Sequence, residues 1–136
     1  MTVKLIKTYK IKKFKSIKGE IIKYVSKKDK YFKNFGEVYF NIIKKNQTKG
    51  WNLHKKNICL AMCLVGKVRF HLIDLKNKEF KIVLSSTGNK ILKIPPKVWF
   101  SFKSLNVDSM IVNLINDIHS DNEVQKNIKV KGYLIK

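Results

Sequence analysis

Apolar and polar residues alternate along the chain in short runs that end at turn-forming or charged residues, a pattern typical of β-strands joined by turns. Residues 4–13 alternate apolar side chains with Lys, as an edge strand does. Residues 58–65 are apolar on both faces, so this strand should lie in a sheet that is covered on both sides. Further strands are predicted at residues 21–25, 37–43, 50–54, 68–75, 80–84, 90–94, 98–102 and 110–115.

The spacing of these runs favours an all-β sandwich or barrel, because no helix-length stretch before Asn116 follows a 3.6-residue period. Residues 121–126 are expected to form a short C-terminal helical segment with Asp121 as its cap. Pro95-Pro96 must lie in a loop or at a sheet corner, since Pro cannot donate to a β-ladder. With no linker or repeat, residues 1–136 are predicted to form a single domain.

Composition narrows the class of protein. The 136 residues are 44% hydrophobic, which excludes a disordered chain, and no apolar run is long enough to span a membrane. No apolar segment follows the Lys-bearing first residues, so we expect no signal peptide. Cys59 and Cys63 are too few for a disulfide framework or a zinc site. They should be buried, reduced thiols in a cytoplasmic protein.

The net charge of +21 has two interpretations. One is a surface for nucleic acid or another polyanion. The other is a compositional bias, because the Lys residues are spread along the whole chain and Arg69 is the only arginine. Direct base readout usually depends on the Arg fork. We therefore expect a general attraction for phosphate-bearing small molecules, and consider a nucleic-acid partner less well supported.

Three histidines are candidates for chemistry. His71 lies within a predicted strand and His119 in a polar loop, where it should be solvated. His54 follows Asn52 by two residues, so the two side chains share a strand face and would form a polar pair inside a barrel. A purely structural role for His54 is an equally open alternative. The sequence contains no phosphate-binding glycine loop and no convergent ligand set, so no metal or cofactor is predicted.

A family resemblance is carried by four blocks, GEVYF (36–40), KGWNLHKK (49–56), VGKVRF (65–70) and IPPKVW (94–99). Together they resemble the dTDP-4-dehydrorhamnose 3,5-epimerase family of cupins and the related sugar-nucleotide 3,4-ketoisomerases. The resemblance covers roughly residues 15–126. It implies a cupin-type jelly-roll β-barrel, usually a homodimer, that acts on a nucleotide-linked 4-keto-6-deoxy sugar in surface polysaccharide biosynthesis.

The implied chemistry is proton transfer next to a ketone. The ketone acidifies the adjacent C–H groups, a neutral imidazole can remove such a proton, and the enolate oxygen then needs a donor or cation. Return of the proton on the opposite face inverts the carbon. Return of the proton to C4 moves the carbonyl along the ring.

The chain departs from the epimerase pattern at two positions. The family's base position is occupied by Asn52, which cannot accept a proton from carbon at neutral pH. The family's tyrosine acid, expected in residues 111–113, is missing, and Val112 is closest to its place. His54 matches the second histidine of the ketoisomerase His-x-His. Either His54 is the sole acid/base, or the protein binds the sugar nucleotide without turnover, or it has another role.

The resemblance suggests four further site residues, each with a structural alternative. Tyr39 resembles a tyrosine that ketoisomerases hold near the sugar, but it could be an ordinary strand aromatic. Trp99 could stack on the sugar or the base, or pack in the core. Lys49 stands where the family has a cation near the pyrophosphate. Lys18 matches an arginine that contacts phosphate, although both lysines could simply be solvated.

We therefore predict an epimerase or ketoisomerase, with His54, Asn52 and Tyr39 as the catalytic positions and Lys18, Lys49 and Trp99 as substrate-binding residues. The alternative is a divergent, non-catalytic cupin that binds a sugar nucleotide. A polyanion-binding β-protein is the third hypothesis.

Overall fold

The computed structural model describes residues 5–88 and 90–135, and it is all-β, as predicted. This part of the chain forms no α-helix, and therefore contains no helix long and apolar enough to cross a membrane. The strands are β1 Lys7–Lys10, β2 Lys12–Ser16, β3 Gly19–Lys23, β4 Glu37–Ile43, β5 Thr48–His54, β6 Cys59–Val65, β7 Lys67–Asp74, β8 Glu79–Ser85, β9 Lys90–Ile94, β10 Val98–Ser104, β11 Ser109–Ile115, β12 Val124–Lys126, β13 Lys129–Val130 and β14 Tyr133–Leu134.

Two five-stranded antiparallel sheets face each other. The first has the strand order β1-β9-β6-β11-β4 and the second β12-β5-β10-β7-β8. From β4 to β11 each strand lies in the sheet opposite to the strand before it, except that β7 and β8 form a hairpin within the second sheet. This is the arrangement of an eight-stranded double-sheet jelly roll. Short hairpins, β2–β3 and β13–β14, are attached to this sandwich.

The main core lies between the two sheets, and several of its members also line the open cavity described below. It includes Val68, Leu72, Leu84, Leu92 and Val98, all of which are buried. Each comes from a strand whose alternate residues face the opposite sheet, as period-2 side-chain alternation requires.

Strand β6 is covered on both faces, which confirms the prediction made from its apolar run. Cys59, Ala61 and Cys63 face the other sheet. Leu60 and Met62 face outward into a second cluster, which the segment around Tyr24 and Phe32 covers. The Tyr24 hydroxyl donates to the Leu60 carbonyl, which fixes this segment against the sheet.

The N-terminal strand prediction needs a correction. Within the described part of residues 4–13, Ile11 separates β1 from β2 and is itself buried; Lys4 lies outside the described residues. Strand β1 pairs with β9 at the edge of the first sheet, whereas β2 pairs only with β3. The alternating pattern therefore predicted β-structure correctly. It did not predict that the strand is interrupted at Ile11, which packs in the apolar cluster on the outer face of β6.

The predicted C-terminal helical segment is wrong. Residues 121–123 form a turn and Val124–Lys126 form β12, which pairs with β5. The backbone N–H and C=O groups of β12 pair with those of β5. If this segment were helical, β5 would be an unpaired edge strand of the second sheet. The chain then continues into the β13–β14 hairpin, whose Val130 packs against Trp51 and Ile73 on the outer face.

Gly36 provides a test of the packing at the open end of the sandwich. A Cβ atom there would lie 2.2 Å from the Asp117 backbone nitrogen, and the Gly36 N–H donates to the Ile115 carbonyl at 2.9 Å. The backbone at the end of β11 therefore occupies the space that a side chain would need. We expect Gly36→Ala to lower the free energy of unfolding by about 3 kcal/mol. Gly88→Ala, whose Cβ would meet only the flexible Ser85 Oγ at 3.3 Å, should change it by less than about 1 kcal/mol. Urea denaturation measures both, and equal effects would contradict this description.

Candidate active site

A cavity of about 280 Å³ opens between the two sheets at one end of the sandwich. Its polar lining comes from strands of both sheets and from the segment after β11, and consists of Glu37, Tyr39, Asn41, Asn52, His54, Asn113, His119 and Lys126. Its apolar lining consists of Cys59, Ala61, Phe70, Ile94, Phe100, Phe102, Ile111 and Val124. The cavity therefore combines apolar walls with several inward-facing polar groups, as small-molecule sites do.

His54 is the buried imidazole of this cavity. It is 4% exposed, its ring stacks on Phe100 at a centroid distance of 5.9 Å, and its Nδ1 lies 2.6 Å from Glu123 Oε2. An ionised carboxylate can only accept, so the Nδ1–H donates to Glu123 and Nε2 keeps its lone pair in the neutral ring. This arrangement prepares His54 to accept a proton through Nε2.

The Glu123 carboxylate is itself held by the backbone. Its Oε1 accepts from the N–H groups of Lys56 at 3.0 Å and Asn57 at 2.7 Å. Burial acts to raise the pKa of Glu123, but these two donors and the adjacent His54 ring outweigh it, so the pKa lies below the ordinary value. Glu123 therefore remains an anion that orients His54 and stabilises its protonated form.

Strand pairing brings His54 and Glu123 together across 69 residues of sequence. Strand β5 pairs with β12 so that His54 lies opposite Val124, and the Lys55 N–H donates to the Glu123 carbonyl at 2.9 Å. Gly50 allows β5 to approach β10, because it has a φ of 118° and a Cβ there would lie 2.7 Å from the Phe100 carbonyl oxygen.

Asn52 lies two residues before His54 on the same inward face, as the sequence predicted, and lines the cavity. The side-chain amide makes no hydrogen bond to the described residues and is only half-buried. It can donate to or accept from a ligand, but it has no basic lone pair with which to remove a proton.

Tyr39 and Asn113 form a second polar pair in the cavity. They are directly opposite each other in the β4–β11 ladder, and Asn113 Nδ2 donates to the Tyr39 hydroxyl oxygen at 2.7 Å. Burial is the main cause that raises the pKa of Tyr39 to about 12, so the phenol is neutral at physiological pH. A neutral phenol can donate a hydrogen bond to a ligand oxygen.

Val112, which the sequence placed closest to the missing tyrosine acid, does not face the cavity. It belongs to the outer cluster of the first sheet. Its neighbours Ile111 and Asn113 face inward. Among these three positions, Asn113 alone carries a polar group into the site.

The three predicted substrate-binding residues lie at different places. Lys49 is at the open end, where its Nζ donates to the Asn41 side chain at 2.7 Å. Lys18 lies in the exposed turn of the β2–β3 hairpin and does not line the cavity of its own chain. Trp99 faces the outer side of β10 and packs with the cluster of Trp51, so it does not line the cavity either.

The sequence interpretation missed several residues of the site, namely the cavity-lining Glu37, Asn41, Asn113, His119 and Lys126, and Glu123 behind His54. Asn113 had a signal, because it is an amide within an otherwise apolar strand run. Glu123 and Lys126 were assigned to a helical turn, which hid their relation to β5. His119, expected to be solvated, is exposed but also lines the cavity entrance, where its backbone N–H lies 3.3 Å from Glu37 Oε1.

His71 lies outside the cavity and offers a natural comparison with His54. Its Nε2 lies 2.7 Å from Glu79 Oε1, and its ring packs between Trp51 and Tyr133 on the outer face. In the described residues two histidines therefore hydrogen-bond to a carboxylate, and only the pair of His54 faces the cavity; His119 and Asp121 form a looser, exposed pair at 3.9 Å.

Neither thiol nor metal chemistry is indicated in the described residues. Burial raises the pKa of Cys59 to about 12 and that of Cys63 to about 11, so both thiols are protonated. No group of three or more potential metal ligands occurs in residues 5–88 and 90–135.

Comparison with solved structures shows the same fold. A dTDP sugar isomerase from Desulfovibrio desulfuricans G20 superposes with a TM-score of 0.85 at 21% identity, covering 90% of this chain and 83% of that chain. QdtA, a sugar 3,4-ketoisomerase from Thermoanaerobacterium thermosaccharolyticum in complex with TDP, gives 0.80 at 24% identity, covering 90% and 88%. A dTDP-4-dehydrorhamnose 3,5-epimerase from Bacillus anthracis str. Ames with TDP and PPi bound gives 0.82 at 14% identity, covering 90% and 78%.

A comparison with curated protein sequences gives no match. The family model described as "FdtA: WxcM-like, C-terminal" matches residues 3–130 of the 136. The matched segment includes both sheets and every residue of the cavity described above. The chain thus belongs to the FdtA, WxcM-like C-terminal family.

Proposed function

We propose that this protein is an isomerase or epimerase of a nucleotide-linked 4-keto-6-deoxy sugar, with His54 as its acid/base. The observation that carries the proposal is the buried His54–Glu123 pair at the wall of an open cavity. The isomerases and epimerases that share the fold support the substrate class, and two of them hold TDP. Surface polysaccharide biosynthesis as the pathway, the homodimer and the cytoplasmic location remain predictions.

The proposed reaction begins with removal of a proton next to the ketone. His54 Nε2 accepts the proton, while Glu123 stabilises the imidazolium that forms. The Tyr39 hydroxyl donates to the ketone oxygen as it gains negative charge. Lys49 and Lys126 at the cavity favour the diphosphate of the nucleotide, although as point charges they hold it less rigidly than Arg would.

Keto migration fits this site better than inversion of a carbon. Inversion needs a proton donor on the opposite face of the ring from the base. Migration needs one group that takes the proton from C3 and returns it to C4 on the same face, while a second proton passes from the C3 hydroxyl to the C4 oxygen of the enediolate. With Asn52 in the epimerase base position, His54 is the single buried imidazole among the cavity residues described. We therefore favour a 3,4-ketoisomerase.

His54→Ala should lower turnover by about 10³-fold or more, because the proton acceptor is lost. The assay is incubation with a dTDP-linked 4-keto-6-deoxy sugar in D₂O, in which NMR reports deuterium at C3 and C5 separately and any movement of the carbonyl. His71→Ala is the matched control, since it removes the histidine of the outer pair, and it should leave turnover within about twofold. Equal activity of wild type and His54→Ala would reject His54 as the base.

Glu123→Gln should lower kcat by about 100-fold, because the amide cannot stabilise the imidazolium as an anion does. Glu79→Gln, which changes the carboxylate of the outer pair in the same way, should leave kcat unchanged. Circular dichroism of both variants checks the fold. A loss of kcat common to both substitutions would show that stability rather than chemistry is responsible.

A second candidate function is binding of the sugar nucleotide without turnover. The specific observation in its favour is Asn52, which places an amide in the cavity where the epimerases have their base. This candidate predicts micromolar binding of the dTDP-linked sugar by calorimetry and no deuterium in the recovered sugar.

Asn52→His separates the two candidates. An imidazole at this inward position would lie next to His54 and add a second group able to accept a proton. If His54 already works alone, we expect wild type to be active and Asn52→His to gain about tenfold or less in turnover. If the protein only binds, deuterium incorporation should be absent in wild type and appear in Asn52→His. Wild-type protein that neither binds nor converts the sugar in these assays would reject both.

A further inference from the structure

Asn113 is an anomaly in its strand. It lies in the middle of β11 among Ile111, Val112 and Leu114, and is 6% exposed. Its Oδ1 is buried and has no hydrogen-bond partner in residues 5–88 and 90–135. A buried carbonyl oxygen without a partner destabilises the fold, and an apolar residue at this position would avoid the penalty. Such exceptions are characteristic of functional sites.

The other end of the Asn113 amide shows what the residue does. Nδ2 donates to the Tyr39 hydroxyl oxygen, and the two residues are direct partners across the β4–β11 ladder. On the other side of β11 the partner of Asn113 is Ala61, whose small side chain leaves room for the amide. The amide is therefore held in place by two rigid strands.

This donation controls the direction of the Tyr39 O–H. The phenol oxygen accepts from Asn113, so its own hydrogen must be directed away from the amide nitrogen. The Tyr39 hydroxyl donates to no acceptor in the described part of the chain. The cavity, which both side chains line, is the space that remains for an acceptor.

We propose that Asn113 is a positioning residue, which holds the Tyr39 hydroxyl so that it donates into the cavity to the carbonyl oxygen of the substrate. This inference rests on the proposed function. In the reaction, His54 takes the proton from carbon and the electron pair of the C–H bond moves to the carbonyl oxygen. Tyr39 then stabilises the resulting enolate by a hydrogen bond and keeps its own proton.

The test uses Asn113→Leu, which matches the shape of Asn and removes both the unpaired oxygen and the donor. We expect stability against urea to be equal or higher, and kcat to fall about tenfold with little change in KM. A merely structural residue would not show a loss of activity together with retained stability. Ser109→Ala is the matched control on the same strand, since Ser109 is buried and hydrogen-bonded but does not line the cavity. It should lose stability and keep kcat.

A double-mutant cycle with Tyr39→Phe shows whether Asn113 acts through Tyr39. We expect Tyr39→Phe to lower kcat by about 100-fold. Adding Asn113→Leu to Tyr39→Phe should cause no further loss, because the group that Asn113 positions is already absent. Losses that multiply in the double variant would overturn the inference.

Unchanged or increased kcat in Asn113→Leu would also overturn it, because this result means that Tyr39 donates to Asn113 and not to the substrate. If wild type binds the sugar without turnover, the carbonyl stretch of the bound, ¹³C-labelled sugar replaces kcat as the readout. The frequency of this stretch should be lowered in wild type, and it should lie closer to its value in water in Tyr39→Phe and in Asn113→Leu. Wild type that shows neither turnover nor binding instead overturns the proposed function.

Discussion

The hydrogen bond between His54 and Glu123 depends on one piece of β-structure, the pairing of β12 with β5, and the candidate chemistry depends on that bond. A carboxylate at this depth is unfavourable unless its oxygens are satisfied, and the Lys56 and Asn57 N–H groups provide this. The outer pair of His71 and Glu79 has nearly the same N···O distance, through Nε2 instead of Nδ1, but faces no cavity. The difference between a structural and a chemical histidine in this chain is therefore the space in front of the ring and not the carboxylate behind it.

The high positive charge contributes little inside the cavity. Lys126 is its one lysine in the described residues, and the remaining polar lining is mainly amide, phenol and imidazole. Charge is thus available at the open end, where it would attract a diphosphate over a distance of about a Debye length. The reacting part of a ligand would instead meet groups that are neutral or paired. This separation is consistent with a substrate in which an anionic diphosphate is attached to an uncharged ring.

The sequence predicted those features that depend on local periodicity. Alternation in β5 placed Asn52 and His54 on one face, and the apolar run of β6 indicated cover on both sides, which the structure confirms. It could not predict Glu123, because its relation to His54 arises from a pairing between segments 69 residues apart. The same lack of long-range information made residues 121–126 look like a helical turn. Trp99 shows a further limit of sequence reasoning. It was expected at the substrate, but it faces the outer side of β10, and its neighbour Phe100 faces the inner side.

Three side-chain amides line the cavity, and those of Asn52 and Asn113 lie where apolar packing could have closed it. Asn113 leaves a buried oxygen without a partner in the described residues, and Asn52 stands where the epimerase pattern requires a base. The side chain of Asn52 makes no hydrogen bond in the described residues, and that of Asn113 bonds only to the Tyr39 hydroxyl within the site itself. A simple decay of an old site would be expected to replace such residues by apolar ones, because that change fills the cavity and removes the unpaired group. A polar, open pocket around the His54–Glu123 pair is therefore consistent with the proposed site for a polar ring, in which one imidazole would carry the proton chemistry.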